Sequence, residues 1–336
     1  VGSEMCIRDS LFALAFMFSH HQADTNPGYG AGTGGHFAQV ESSQALGWHQ
    51  HAYDPQRTGW APFQLKPWID QPGGSTSWKY AWQRDDLQTR SQYQVYPVAG
   101  AGKLYVAAAD NTLYAVDLSS GDPVWSISPG GDLYSTPAFD PQSEAVYVTG
   151  GANLYRIDQS GQRTHTYSAG VNLETSPLLV GDYVYLTSTD GRLHKVNKHT
   201  LSVGDGGWIY DPGVSITQTT MPSYSASRGL VIYASDPDLK VRAVDEVTGE
   251  LRWAFAAPNT YRCIEGSDWM GEQCVEFRHG WPVVADHEGV VFARLRMTYQ
   301  DSWDFSGYYD DPESVSYTHL RAHETPEHLV CRLLLE

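Results

Sequence analysis

The sequence predicts an all-β fold, a β-propeller of four-stranded antiparallel blades, and three observations predict it. First, in KLYVAAADNTLYAVDLSSGDPVW, from Lys103 to Trp125, Leu104, Tyr105 and Val106 form one short β-rich run and Leu113 to Val116 another, with turn residues between and after them. Second, the chain carries copies of this pattern from Ala145 to Gly161, Tyr183 to Asn197 and Leu230 to Trp253. Third, a proline precedes each copy, at Pro97, Pro137, Pro177 and Pro222, with a weaker fifth unit behind Pro282, so the steps are 40, 40, 45 and 60 residues. A hairpin of this size cannot cover its own apolar face. A period of roughly 40 residues with four short strands in each is the pattern of stacked blades. Proline suits the first residue of a blade's innermost strand, where a missing N–H does least harm.

The blade ends carry a more specific signal. AVDLSSGDPVW holds Ala115, Asp117, Gly121 and Trp125, and AVDEVTGELRW holds Ala243, Asp245, Thr248, Gly249 and Trp253. Both resemble the pyrroloquinoline quinone-like (PQQ-like) propeller repeat, whose blades end in Ala, Asp, Thr-Gly and Trp at this spacing. Ser120 stands where the first copy would have Thr. The second copy keeps Leu154, Ile157, Asp158 and Gly161 but lacks the Trp, and the third has Asn197 for the Asp, with Trp208 displaced by a longer turn. The resemblance covers residues 48–305 and implies blades near 97–130, 137–170, 177–212, 222–256 and 282–305, with an insertion at 257–280. On that reading residues 46–314 hold about five blades of a seven- or eight-bladed ring.

The ends of the chain look foreign to this pattern. Residues 1–10, VGSEMCIRDS, read as a translated sequencing-library adapter, and residues 315–336 as its reverse complement with the sequence that follows it, as in a metagenomic fragment. Such stretches are set aside before fold reasoning, although residues 319–336 also have a passable helical pattern. Residues 11–45 open with LFALAFMFS, too short to span a bilayer and similar to the apolar core of a secretory signal, followed by a Gly-rich linker. The expectation is an exported protein, periplasmic or extracellular, with no transmembrane segment and an oligomeric state the sequence leaves open.

Charge narrows the partners. The chain carries a formal charge of −17, and setting the terminal stretches aside still leaves about −15. Nucleic acid is therefore an unsuitable partner, because a phosphate backbone demands a basic face. Of the four cysteines only Cys263 and Cys274 lie outside those stretches, in CIEGSDWMGEQC within the longest link. In an exported chain a local disulfide is the leading reading, and closing so short a loop is worth roughly 2 to 3 kcal/mol.

The lead-in WHQHAYDPQRTGWAP, from Trp48 to Pro62, is similar to the segment that precedes the first blade in the same family, and Trp78 and Trp82 read as the outer strand of the closing blade. His49 and His51 stand two apart, so they could share a metal on a strand face. No Cys or carboxylate lies at ligand spacing beside them, and no metal site is assigned.

Chemistry is expected on one rim, where the turns between second and third strands (109–111, 151–153, 189–192, 235–238) meet the links between blades (130–134, 171–174, 214–220, 257–279). Asp190, Asp236, Asp238 and Asp268 are rim carboxylates, and acidic turn residues are usually turn formers. Trp269 reads as a rim aromatic. GAGTGG, Gly30 to Gly35, lacks the Lys-Ser/Thr of a phosphate loop, and neither GHFAQ nor ETSPL forms a nucleophile elbow, leaving a hydrolase unsupported. The resemblance offers two functions. One is a noncatalytic scaffold that binds a protein or small-molecule ligand at the rim. The other is a PQQ- and calcium-dependent alcohol or sugar dehydrogenase, part of whose cofactor set is missing. Against the enzyme, the chain has no adjacent Cys pair and no Asp-x-Asp-x-Asp-Gly run. No catalytic or cofactor-binding residue is assigned.

Overall fold

The computed structural model describes residues 48–59, 82–90, 95–256, 274–277, 281–298 and 330–334, apart from positions 217, 237, 288 and 295. A sheet follows each of the first four prolines, in the order the periodicity predicts. The first contains β1 (Val98–Gly100), β2 (Lys103–Ala107), β3 (Leu113–Asp117) and β4 (Pro123–Ile127). The second contains β5 (Ala138–Asp140), β6 (Ala145–Gly150), β7 (Asn153–Ile157) and β8 (Arg163–Ser168). The third contains β9 (Leu178–Val180), β10 (Tyr183–Thr187), β11 (Leu193–Asn197) and β12 (Trp208–Tyr210). All three are meanders in which each strand pairs antiparallel with the next. The fourth adds a strand: β13 (Gln218–Thr219), ahead of Pro222, and β14 (Ser223–Ser225) both pair with β15 (Leu230–Asp236), which pairs with β16 (Lys240–Asp245) and so with β17 (Leu251–Ala256).

The fifth set is assembled differently. β18 (Cys274–Glu276) pairs with β21 (Arg296–Thr298), while β19 (Val283–Ala285), β20 (Val290–Arg294) and β22 (Val330–Leu334) form a three-stranded sheet. The helical pattern noted over residues 319–336 is not realised at Val330–Leu334, which is a strand. Five consecutive residues that each gain a ladder partner on β20 satisfy their backbone without a helix. Among the described residues there is no helix at all.

The chain divides into two compact units. The first comprises residues 1–54 and 59–168 and holds the sheets of blades 1 and 2; the second comprises 55–58 and 169–336 and holds the rest. In the first unit β1 lies beside β5, and in the second β14 lies beside β19, so the strands that follow Pro97 and Pro137, and those that follow Pro222 and Pro282, are neighbours. Cores form between successive sheets. Tyr105, Val146, Val148 and Ile157 share one cluster, Tyr185, Val231, Tyr233 and Val244 another. The tyrosine at the middle of each second strand, Tyr105, Tyr147, Tyr185 and Tyr233, is fully buried. Burial pushes the Tyr105 phenol up to about 12 and raises the other three.

Register explains the repeat motif. The residue two before the turn aspartate pairs with the tryptophan: Ala115 with Trp125 and Ala243 with Trp253. A β-bulge follows each of these pairs, and another falls at the corresponding place in blade 2, between Arg156 and Ile157. In blade 3 Lys195 pairs with Trp208, at the same place relative to Asn197. The displacement of Trp208 along the sequence is therefore absent from the sheet, because the longer turn is taken up between β11 and β12. In blade 2 the position belongs to His165, paired with Arg156 and exposed.

Candidate functional site

Each blade's turn after the third strand is an Asx turn, in which one carboxylate oxygen takes the place of backbone partners. Asp117 Oδ1 accepts from the amides of Ser119 and Ser120, both at 2.9 Å, and Asp245 Oδ1 from Val247 at 2.9 Å and Thr248 at 2.8 Å. Asp158 Oδ1 accepts from Ser160 and Gln162. The Thr248 amide, joined by Arg252, holds Asp245 down at about 2. Asn197 Oδ1 accepts from His199 and Thr200 in the same way, so amide for acid preserves the turn. Ser120 and Thr248 also play one part, each accepting the amide of the residue two further on.

The glycine of the turn sits beneath the tryptophan of the preceding blade. Gly121, Gly161 and Gly249 all have positive φ, 75°, 82° and 73°. A Cβ there would lie 2.6 Å from the Trp82 ring, 2.8 Å from Trp125 and 2.7 Å from Trp208 respectively. Each indole N–H then donates to the residue after the aspartate: Trp82 to Leu118 O at 3.0 Å, Trp125 to Gln159 O at 2.9 Å and Trp208 to Glu246 O at 3.1 Å. Trp82 thus serves blade 1 as the outer-strand residue of a preceding blade would; Trp78 lies outside the described residues. Trp253 packs against the core cluster that holds Ile232, Val241, Phe277 and Val291, and its indole N–H has no acceptor among the described residues. In blade 3, the turn glycine is replaced by Leu201, at φ 49°.

The lead-in lies against the innermost strands of each unit. In the first unit Trp48 O accepts from the Ala99 amide at 2.8 Å and His49 O from the Phe139 amide at 2.6 Å. His51 Nδ1 is 3.2 Å from Thr136 Oγ1, and the ring packs on Tyr96, while the His49 ring packs on Phe139. Burial lowers the His49 pKa, with Asp140 opposing it. His51 is buried and His49 half-buried, each with its own neighbours, and among the described residues no group of three or more His, Cys, Asp or Glu is placed to hold a metal ion. In the second unit Pro55 O accepts from the Tyr224 amide at 2.8 Å and Gln56 O from the Val284 amide at 3.0 Å. Arg57, only 1% exposed, donates Nε to Pro222 O at 3.1 Å and Nη2 to Ser176 O and Pro177 O at 3.3 Å.

In each unit a turn between second and third strands lies beside a link between blades, Asn111 against Asp132 in the first and the Thr189 amide on Asn172 O in the second. In the first unit Asn111 donates Nδ2 to Asp132 Oδ1 at 2.7 Å and accepts at Oδ1 from Arg90 at 2.9 Å and from the Leu133 amide at 3.2 Å. The Arg90 guanidinium lies 4.8 Å from the centre of the Tyr134 ring, and Tyr114 donates to Asp110 at 2.7 Å, which raises the phenol. In the second unit Arg192 bridges Asp190 at 2.6 Å and Asp211 at 2.9 Å, and the buried Arg242 is paired with Asp238. Asp236 accepts the Phe277 amide at 3.0 and 3.2 Å. Of the rim carboxylates, Asp190 and Asp238 are paired with arginines and Asp236 is taken up by the Phe277 amide; Asp268 and Trp269 lie outside the described residues.

Ser188 Oγ lies 2.9 Å from His194 Nε2 and donates to Asp190 at 2.5 Å. That is no nucleophile triad. The acid contacts the serine instead of orienting the histidine, and Ser188 and His194 are 0% and 1% exposed. Burial depresses His194 to about 4. Cys274 opens β18, and its expected disulfide partner Cys263 lies outside the described residues.

The sequence matches the family described as "Outer membrane protein assembly factor BamB" in two overlapping alignments, residues 68–205 and 139–294. Among solved structures, BamB from Moraxella catarrhalis superposes with a TM-score of 0.45 at 15% identity, covering 61% of this chain. The match spans 57% of that chain's own length. No curated protein matches.

Proposed function

Because the chain belongs to the PQQ-like repeat family described as outer membrane protein assembly factor BamB, we propose that it is an exported, noncatalytic propeller that binds a protein partner through the turns and links of its rim. The observation that carries this reading is the occupancy of the innermost strands. Their amides at Ala99, Phe139, Tyr224 and Val284 already donate to the chain's own lead-in, and the Arg57 side chain sits on the carbonyls beside Pro177 and Pro222. Those donors are satisfied by the protein itself. The rim instead offers acids fixed by arginines, with tyrosines beside them, a surface suited to main-chain and polar side-chain recognition. The family description makes a component of outer-membrane protein assembly the first partner class to test. Among the described residues no helix is long and apolar enough to cross a membrane, a statement that does not extend to strands.

Equilibrium dialysis of the purified protein against pyrroloquinoline quinone and calcium separates this reading from a quinone-dependent dehydrogenase. No retained chromophore is expected. Stoichiometric uptake with reduction of an electron-accepting dye would overturn the proposal. Export is checked by fractionating cells that express the protein from its own gene. Recovery in the cytoplasm alone would remove that part of it. The Cys263 to Cys274 disulfide belongs to the same reading, and thiol counting before and after reduction tests it.

A further inference from the structure

We infer that residues 48–57 act as a separable ligand, a strap whose residues 48–49 lie on inner strands of the first unit and whose residues 55–57 lie on inner strands of the second, held within each unit by the same main-chain contact and locked in the second by Arg57. The contact falls two residues after the blade proline each time: Ala99 after Pro97, Phe139 after Pro137, Tyr224 after Pro222 and Val284 after Pro282. These amides belong to strands at one edge of their sheets, where the ladder leaves a row of N–H groups without strand partners. The strap supplies carbonyls from Trp48, His49, Pro55 and Gln56 at 2.6 to 3.0 Å. Each proline stands one residue ahead of its inner strand and has no N–H to offer, and the amide two residues past it, inside the strand, is the one that donates to the strap.

Arg57 gives the strap its specificity. Its guanidinium donates to three main-chain carbonyls drawn from blades 3 and 4, Ser176, Pro177 and Pro222. The fork geometry of arginine suits several carbonyls at once, which a lysine ammonium on a flexible stem would not reproduce. Trp281 closes the other side by donating its indole N–H to Arg57 O at 3.1 Å. The backbone conformation is imposed on the strap. Ala52, Tyr53 and Arg57 have φ of 53°, 73° and 60°, a left-handed region that persists in non-glycine residues only when surrounding contacts over-determine it. Thr58 and Gly59, immediately after the strap, are exposed. The segment therefore has the features of a bound peptide that happens to be covalently continuous with its receptor.

The test cuts that continuity. A site-specific protease sequence is inserted after Gly59, the folded protein is cleaved, and the amount of the piece ending at Gly59 that stays with the remainder is measured by native mass spectrometry. Retention in the otherwise unchanged protein, release at least tenfold faster from R57A, and an intermediate rate for R57K are expected. Loss of the piece from the unchanged cleaved protein would overturn the inference, as would equal retention by R57A. Should R57A fail to fold, exchange decides the matter: a synthetic peptide of residues 48–58 must displace the cleaved piece while a scrambled peptide does not, and failure of the peptide to enter refutes the strap.

Discussion

In the first unit Trp125 lies on the turn from Gln159 to Gly161 of the next blade, and in the second Trp208 lies on the turn from Glu246 to Gly249. The main-chain contact is the same in both, an indole over glycine with its N–H on the carbonyl after the aspartate. The side chain on that carbonyl's residue differs. Gln159 is neutral, accepts Lys103 Nζ at 2.7 Å and donates to the Tyr105 hydroxyl at 3.1 Å. Glu246 is acidic and accepts the Tyr224 hydroxyl at 2.5 Å, while Lys195 donates to its carbonyl at 2.7 Å and lies 3.9 Å from the Tyr183 ring centre. The difference teaches that the junction is read through the backbone. The side chain is left free to be tuned, provided that a lysine and a tyrosine find partners there.

If so, removing the indole should be the most damaging change at either junction. W125A and W208A are each expected to cost about 3 kcal/mol, the range for truncating a packed tryptophan. Urea unfolding of both variants checks this, and near-equal losses are the signature of a shared main-chain contact. A loss confined to one junction would show that the side-chain network carries it instead.

Acid should separate the two units next. His194 belongs to the second unit, and burial holds its pKa near 4, against 6.5 for an ordinary histidine. A depressed pKa means the folded state keeps the neutral ring. The stability this confers is complete above about pH 6.5 and is lost as pH falls through 4, by up to roughly 3 kcal/mol. Hydrogen exchange of β10 and β11 between pH 7 and pH 4 should show the loss, and H194Q should flatten it. A profile that H194Q leaves unchanged would assign the acid step elsewhere, with His49 in the first unit the next group to test.

Glycine replacement follows. G161A and G249A must both drive a Cβ into an indole and hold a positive φ, with an expected cost of about 2 kcal/mol. Gly213, at φ 67° with nothing within 4 Å of where a Cβ would lie, isolates the backbone part. G213A should therefore cost only about 1 kcal/mol. Equal costs in calorimetry would mean that the indole yields freely.

What the sequence showed in advance follows from how local each signal is. Proline, Asp, Gly and Trp recur at fixed short spacing, and each acts within its own hairpin or on the adjacent blade, so periodicity alone places them. Trp208 looked displaced because counting residues includes the longer turn, whereas the pairing of Lys195 with Trp208 ignores it. His49 and His51 stand two apart, a spacing that says nothing about their surroundings, and the fold gives one Phe139 and the other Thr136 with Tyr96. Arg57 had no visible role, since its acceptors lie 119, 120 and 165 residues away. An arginine in a lead-in reads as exposed unless its partners are known. The strap carbonyls were invisible for a related reason: a main-chain contact leaves no residue preference behind it.

The smallest effect is also the most specific to the comparison. Burial raises the Tyr224 pKa, and the Glu246 carboxylate raises it further. A raised phenol contributes stability that is present below about pH 10 and lost above it. Lys195, lowered by burial, acts in the opposite direction over the same alkaline range, so overall stability against pH would partly cancel the two. Tyrosinate absorbance avoids the cancellation. E246Q should bring Tyr224 to ionise at lower pH and should ease Tyr185, which the same carboxylate also raises, in the same direction, with less than about 1 kcal/mol lost at neutrality. The reciprocal Q159E should delay ionisation of Tyr105, which donates no proton to Gln159 and already stands near 12. If Q159E instead unfolds the first unit, the neutral network there is a requirement of the junction, and the freedom inferred from comparing Gln159 with Glu246 does not exist.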